Sequence, residues 1–260
     1  MSEENVLTKE IAEQFLTDED SVDLGEFTAI EDDAAESLNK REGFLDLDGL
    51  TCLSDAAAKS LSKHEGTLSL SELTSPSDAA AESLSKHEGT LRLSGLTSLS
   101  DGPGHIALAE SLSKHEGTLD LGGLTELSDA AAESLSKHAG QLYLWGLTEL
   151  SDTAAESLSK CECYLDLGGL TELSDAAAEI LSTQKGEITL SGLTSLSDAA
   201  AESLGKHEGG FLDLSNLTEL SDTAARSLAK TRPNFERWSI NLDNLPASAA
   251  QILRDAGHGE

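Results

Sequence analysis

Residues 66–89 read GTLSLSELTSPSDAAAESLSKHEG, and near-copies of this stretch run along most of the chain. In T-L-S-L-S the leucines alternate with polar residues, the period-two pattern of a short strand with Leu68 and Leu70 inward. Leu73 extends the apolar side beyond it. Most copies continue as L-S-D-A-A-A-E-S-L-S-K-H-x-G. Here Ser or Asp can cap a helix, an acid sits in the first turn, Lys and His sit in the last, and Gly stops it. A helix of about ten residues is expected. Leu53, Ala57, Ala58 and Leu61 place its apolar stripe on one side. Glu36/Lys40, Glu82/Lys86, Glu110/Lys114, Glu133/Lys137, Glu156/Lys160 and Glu202/Lys206 lace the solvent side with favourably oriented pairs.

The Leu-x-Leu element recurs at Val22/Leu24, Leu45/Leu47, Leu68/Leu70, Leu91/Leu93, Leu119/Leu121, Leu142/Leu144, Leu165/Leu167, Ile188/Leu190, Leu212/Leu214 and Ile240/Leu242. Six of the nine intervals are 23 residues, and the others are 28, 24 and 28, so one supersecondary unit is repeated. Strands separated by helices cannot form a hairpin meander, so they must stack in parallel with the helices on the opposite side. Strands stack about 4.8 Å apart and helices about 8 to 10 Å, so the stack should bend into an arc.

The unit L-x-L-x-x-L-T-x-L-S-D-x-A-A-E-x-L-S-K-H-x-G resembles an atypical bacterial leucine-rich repeat, over nearly the whole chain. It departs from the common repeat because the asparagine position is leucine, as at Leu50, Leu73, Leu96, Leu124 and Leu147. An asparagine ladder is therefore absent, and buried leucines and helix packing must hold the turns. The expected fold is α/β: a curved right-handed LRR-like solenoid of about ten strand-helix repeats, with a parallel sheet on the concave face and short helices on the convex face. The resemblance implies a ligand-binding scaffold whose partner is set by exposed strand residues.

Three segments follow: an N-terminal capping half-repeat over 1–20, LRR-like repeats over 21–237, and a C-terminal variant repeat and cap over 238–260. Leu7 and Phe15, spaced as Leu53 and Leu61 are, mark an amphipathic half-repeat over 6–16, and Phe235 and Trp238 should seal the far end before a helix over 246–253. Arg226, Lys230, Arg232 and Arg237 form a basic patch there, which leaves end-to-end contact with the acidic remainder open.

The chain carries 17 basic and 48 acidic residues, a net charge of -31, which repels nucleic-acid phosphates and anionic membranes. Cys52, Cys161 and Cys163 are too few for a disulfide framework and point to a reducing compartment. The start, MSEENVLTKE, has no apolar signal-type core, and no stretch approaches the length of a membrane span. A soluble, cytoplasmic chain is expected.

The unit over 100–111 carries five extra residues, and its Gly102, Gly104 and Ala107 match a G-x-G-x-x-A dinucleotide fingerprint with Asp120 downstream. Those glycines do not follow a strand, and Asp120 occupies a position that is also Asp at Asp46, Asp166 and Asp213, so a loop is expected. His64, His87, His115, His138 and His207 recur at one place, where cationic support of helix C-termini explains them. A column supplies no closed metal shell, so no metal site and no cofactor are assigned. Cys161 and Cys163, beside the place of His138, leave a soft-metal or redox role as the least favoured reading. No catalytic constellation stands apart from the repeat, so the chain reads as a non-enzyme.

Residues flanking the inward leucines face outward, and most of them are small or acidic. The exceptions concentrate at Tyr143, Trp145 and Tyr164, three of the four Trp and Tyr residues in the chain. Exposed aromatics are the commonest binding hot spots. With Asp166, Asp120 and Arg92 they form the expected partner-binding set, and Phe44 and Phe211 are weaker candidates. The function expected is a non-catalytic scaffold, a monomer, that binds a protein or peptide through its acidic concave face. The alternative is a structural or self-assembling protein.

Overall fold

The computed structural model describes residues 5–230 and 238–258 and shows an α/β chain of repeated strand-helix units. In chain order the strands are β1 (Val6–Leu7), β2 (Ala29–Ile30), β3 (Glu42–Asp46), β4 (Glu65–Ser69), β5 (Leu91–Arg92), β6 (Ser98–Leu99), β7 (Thr118–Asp120), β8 (Glu126–Leu127), β9 (Gln141–Tyr143), β10 (Tyr164–Asp166), β11 (Ile188–Thr189), β12 (Leu212–Asp213) and β13 (Trp238–Ser239). The α-helices are α1 (Lys9–Thr17), α2 (Asp32–Leu38), α3 (Asp55–Leu61), α4 (Asp78–Leu84), α5 (Pro103–Leu112), α6 (Asp129–Leu135), α7 (Asp152–Leu158), α8 (Asp175–Leu181), α9 (Asp198–Leu204), α10 (Asp222–Ala229) and α11 (Ala247–Asp255). All strand pairs are parallel, as helical crossovers require. Leu45 lies beside Leu68, Leu142 beside Leu165 and Leu165 beside Ile188, so the inward leucines stand in register.

Those leucines pack against a pair of alanines on each regular helix, and both sets are buried. The first alanine of the pair is Ala34, Ala57, Ala80, Ala131, Ala154, Ala177, Ala200, Ala224 and Ala249; in α5 it is replaced by Leu108, also fully buried. The regular helices run seven residues, as in Asp55–Leu61, and not about ten. Each stops at its leucine, so Lys and His lie past the helix.

The two terminal strands also differ from expectation. A 3-10 turn over Leu24–Glu26 replaces a strand at Val22/Leu24. At the other end Leu212 pairs with Trp238 and Asp213 with Ser239, so the spacing is 26 residues and the partner of Asp213 is Ser239, not Asn241. Trp238 takes the place of an inward leucine. It packs against the core, with His258 5.7 Å from its ring. Phe235, Arg232 and Arg237 lie outside the described residues.

Polar ladders replace the missing asparagines. Ser54, Ser77, Ser151, Ser174, Ser197 and Ser221 each cap their own helix by accepting the amide three residues on. Each also donates its hydroxyl to an aspartate at the start of the preceding helix: Asp32, Asp55, Asp129, Asp152, Asp175 and Asp198. On the other side of the units, Nε2 of His64, His87 and His138 lies 2.9, 3.1 and 3.1 Å from the carbonyls of Gly43, Gly66 and Gly117. These three rings are buried past the ends of the helices, where support of the helix C-termini was expected of them. The reason is the short helix: the histidine sits in the turn that leads into the next strand, over the preceding unit. Of the expected Glu/Lys pairs, Glu82–Lys86, Glu156–Lys160 and Glu202–Lys206 form, whereas Lys137 turns to Glu110. All are exposed and stabilise little.

Strand pairing and both ladders lapse between β5 and β7, although the two units stay paired further along through β6 and β8. The six-stranded sheet β13-β12-β11-β10-β9-β7 and the three-stranded sheet β3-β4-β5 are separate, so β7 and β5 both end in open edges. The amides of Leu47, Leu70, Leu121, Leu144, Leu167, Leu190 and Leu214 reach the next strand's carbonyl at 2.8–3.0 Å; Leu93 does not. Leu91 and Leu119 are each 5% exposed where their counterparts are sealed at 0%. A Cβ at Gly89 or Gly140 would lie 1.7 Å from the preceding unit's glycine carbonyl, whereas at Gly117 nothing lies within 4 Å. The cause coincides in position: α5 is ten residues long, carries the bulky Leu108, and is anchored by Asp78, which accepts the amides of Gly104 and His105 at 2.8 and 3.3 Å. The glycines of the expected loop therefore open a helix, and the turns remain joined by the Gly123 amide on the Ser94 carbonyl, 2.9 Å away.

Two measurements test the ladders. Ser151→Ala removes a cap and the link to Asp129, so it should cost about 1 kcal/mol in urea unfolding. Ser128→Ala removes a cap with no aspartate bond, and should cost less; equal losses would show that the aspartate link contributes nothing. Burial, then the charge of His64, holds the His87 imidazole below the usual histidine range, against carbonyl hydrogen bonds that favour the charged ring. The neutral ring is the folded form. Its contribution is complete above the usual histidine pKa and is lost as pH falls from there toward the lowered folded-state value. Gln184 takes this place in its own unit and donates to the carbonyls of Cys161 and Cys163 at 3.1 and 2.9 Å. His87→Gln should thus fold at neutral pH and show a flatter loss of melting temperature on acidification than the parent.

Candidate interaction surface

Three adjacent strands place the aromatic cluster. Gln141–Tyr143 of β9 pairs with Tyr164–Asp166 of β10 on one side and with Thr118–Asp120 of β7 on the other. Asp120, Tyr143 and Asp166 are therefore direct cross-strand partners in one row. Alternation makes all three point away from the leucine core, because Leu119, Leu142 and Leu165 point into it.

The aromatics do two different things. Tyr143 and Tyr164 pack on one another with ring centroids 5.6 Å apart and planes tilted by 57°, a favourable geometry. Tyr164 is fixed further by its hydroxyl, 2.9 Å from Thr189 Oγ1. This pair covers part of the sheet. Trp145 is 53% exposed, the most exposed large hydrophobic side chain among the described residues. Its position is Asp48, Ser71, Ser94, Gly122, Gly168, Ser191 or Ser215 in other units, so nothing in the repeat calls for an indole. The ring lies over Gly122, where an added Cβ would sit 2.1 to 2.5 Å from three indole atoms. Gly122 thus seats Trp145 flat on the preceding unit.

Burial, ahead of the charge of Asp213, raises the Asp166 carboxyl above the usual carboxylate range, opposed by the Gly168 amide. Burial likewise raises the Tyr164 phenol, against its hydrogen bond to Thr189. Both shifts mark a partly desolvated patch.

Arg92 does not join the group. It sits on β5, across the open seam from Asp120, with its guanidinium 5.7 Å from the Phe44 ring centroid. It also helps to hold Asp48 ionised. Burial opposes ionisation there, and hydrogen bonds from Ser69 and Ser71 together with the Arg92 charge outweigh it. Phe44, 46% exposed, is thus the seat of a cation on the other sheet, and Phe211 is only partly exposed.

Cys161 and Cys163 are buried and bonded to each other as a disulfide. The bridge spans two residues and ties no two elements together. Cys161 Sγ faces the backbone carbonyl of His138 at 3.1 Å, and not its imidazole. Cys52 is free and exposed. Among the described residues no group of three His, Cys, Asp or Glu side chains could hold a metal ion, and no helix is long and apolar enough to cross a membrane.

Sequence reasoning missed an open cleft of ≈ 740 Å³ beside this patch, lined by Glu88, His115, Glu116 and residues of β5 and β7. The 28-residue interval was the signal available for it. No protein-family model matches the chain, and no curated protein matches it significantly.

Gly122→Ala tests the seating of Trp145. The methyl would displace the indole into solvent, with a red-shifted emission and stronger iodide quenching of one of the two tryptophans, and a small change in stability because the ring is already half exposed. Unchanged quenching would mean that the indole does not rest there.

Proposed function

We propose that the chain is an LRR-like solenoid whose strand face binds a protein or peptide partner, without catalysis. In this reading the sheet is the inner wall of an arc and the helices its outer wall, since helices occupy more width per unit than strands. The observation that carries the proposal is Trp145: a half-exposed indole, seated on a glycine and flanked by the Tyr143–Tyr164 pair, in a position that other units fill with small or acidic residues. Aromatics held rigid before binding lose little side-chain freedom on contact, which is why they serve as anchors.

Asp120 and Asp166 flank Tyr143 in the same row and define the electrostatic side of the patch. With a net charge of -31, the surface favours a cationic partner and disfavours nucleic acid and anionic membranes. Arg92 belongs to this proposal only as a boundary residue on the far side of the seam. The proposal takes the chain as a cytoplasmic monomer.

The test is affinity capture with the parent chain and the triple variant Tyr143→Ala, Trp145→Ala, Tyr164→Ala. Hot-spot residues each contribute about 2 kcal/mol or more, so the variant should lose the captured partner by at least about a hundredfold. Unchanged recovery of every partner would remove the aromatic patch from the proposal. A folded variant is checked by its melting curve.

A further inference from the structure

We infer that the open seam between β5 and β7 is a slot for an extended, basic segment of the partner, which inserts as an additional parallel strand. The inference rests on the scaffold reading above and assigns it a binding mode that the aromatic patch alone does not give.

Four features accompany the opening. The Leu93 amide lacks the cross-strand carbonyl that its seven counterparts have. Gly117 has empty space where Gly89 and Gly140 meet the carbonyl of the preceding unit. His115, alone in its column with Nε2 and Nδ1 both without a hydrogen bond, is only partly buried and lines the cleft; burial lowers its pKa, so the ring is a neutral donor and acceptor near neutral pH. Ser128 caps α6 without the aspartate bond made by Ser151. On both sides, then, the chain presents strand edges in the form that a further strand requires, and adding a strand to an exposed edge is a general mode of peptide recognition.

The slot is of the right size. An extended residue in a sheet occupies about 3.4 by 4.8 by 10 Å, or about 160 Å³, so ≈ 740 Å³ holds about four to five residues. Its two faces set the side chains. Toward the core lie Leu91 and Leu93 on one edge and Leu119 on the other, suited to small apolar or β-branched residues. Toward solvent lie Glu88, Glu116 and Asp120, all exposed, while the charge of Arg92 is drawn to Phe44 and Asp48. The occupant that fits is a strand with Lys or Arg alternating with Val, Ile or Thr. Asp120 links this slot to the row of Tyr143 and Asp166, so a partner could insert its strand and lay the adjoining surface on Trp145.

The test uses a fluorescent decapeptide of alternating Lys and Val, its Glu/Val counterpart, and two Lys/Val peptides N-methylated on one or the other set of alternate residues. The proteins are the full chain, the triple alanine variant, and a closed-seam chain in which Ser100–Ser111 is replaced by the regular segment Ser77–Ser83, restoring the 23-residue interval. The Lys/Val peptide should bind the full chain and the triple variant, and should bind each about tenfold or more tightly than the Glu/Val peptide. Closing the seam should abolish binding, and so should N-methylation of either set, because an inserted strand pairs through both edges. Amide exchange at Leu93 should slow on binding. Equal binding by the closed-seam chain, loss with only one methylated set, no binding at all, or a peptide-free dimer that the closed-seam chain cannot form would each overturn the inference. If the closed-seam chain still captures a natural partner that the triple variant loses, the slot falls and the aromatic patch stands.

Discussion

The whole stack depends on how closely one unit can approach the next. Gly89 and Gly140 leave 1.7 Å between a would-be Cβ and the carbonyl before it, a distance no side chain can occupy. On the helix side a column of buried alanines does the same work, since small side chains let neighbouring helices pack closely. Only under that constraint can one strand meet the next at hydrogen-bonding distance along the sheet. The serine-aspartate and histidine-carbonyl ladders are consequences of it, since both need polar groups of adjacent units within reach.

The constraint also explains why a single unit can interrupt the sheet without unravelling the protein. Leu108 and the longer α5 enlarge the helix layer locally, while Asp78 holds the start of that helix to its neighbour. The leucine core remains buried, and the turns stay joined at Ser94 and Gly123. What is lost is confined to the pairing of β5 with β7 and to the two ladders, since β6 and β8 stay paired across the same boundary. The interruption falls one strand from Tyr143, so the two departures from the repeat are neighbours in space although they arise from separate stretches of sequence.

Much of this was legible in the sequence. Alternating leucines gave the inward columns, and the fixed interval placed Asp120, Tyr143 and Asp166 in one row, as the register shows. Other features were not legible for physical reasons. His64 and His87 follow the helical pattern without a break in sequence, yet each helix ends at its leucine and the rings turn inward over a carbonyl. Arg92 belongs to the same column as Tyr143, but a column is continuous only while strands pair, and the pairing fails at β5. Trp238 displaced the last strand by two residues because an aromatic can fill the inward place of a leucine, which a search for leucines does not find.

The irregular unit has one more consequence, for how such a chain finds its native alignment. Units that are nearly identical present nearly identical surfaces, so a growing stack could accept a unit one repeat out of phase at little energetic penalty. A segment with Leu108 in an alanine column and His105 wedged between the Ser100 amide and the Pro76 carbonyl fits at only one place. It acts as a phase mark within a periodic polymer: every unit on either side is counted from it, and the degeneracy that periodicity creates is removed by the one part that breaks it.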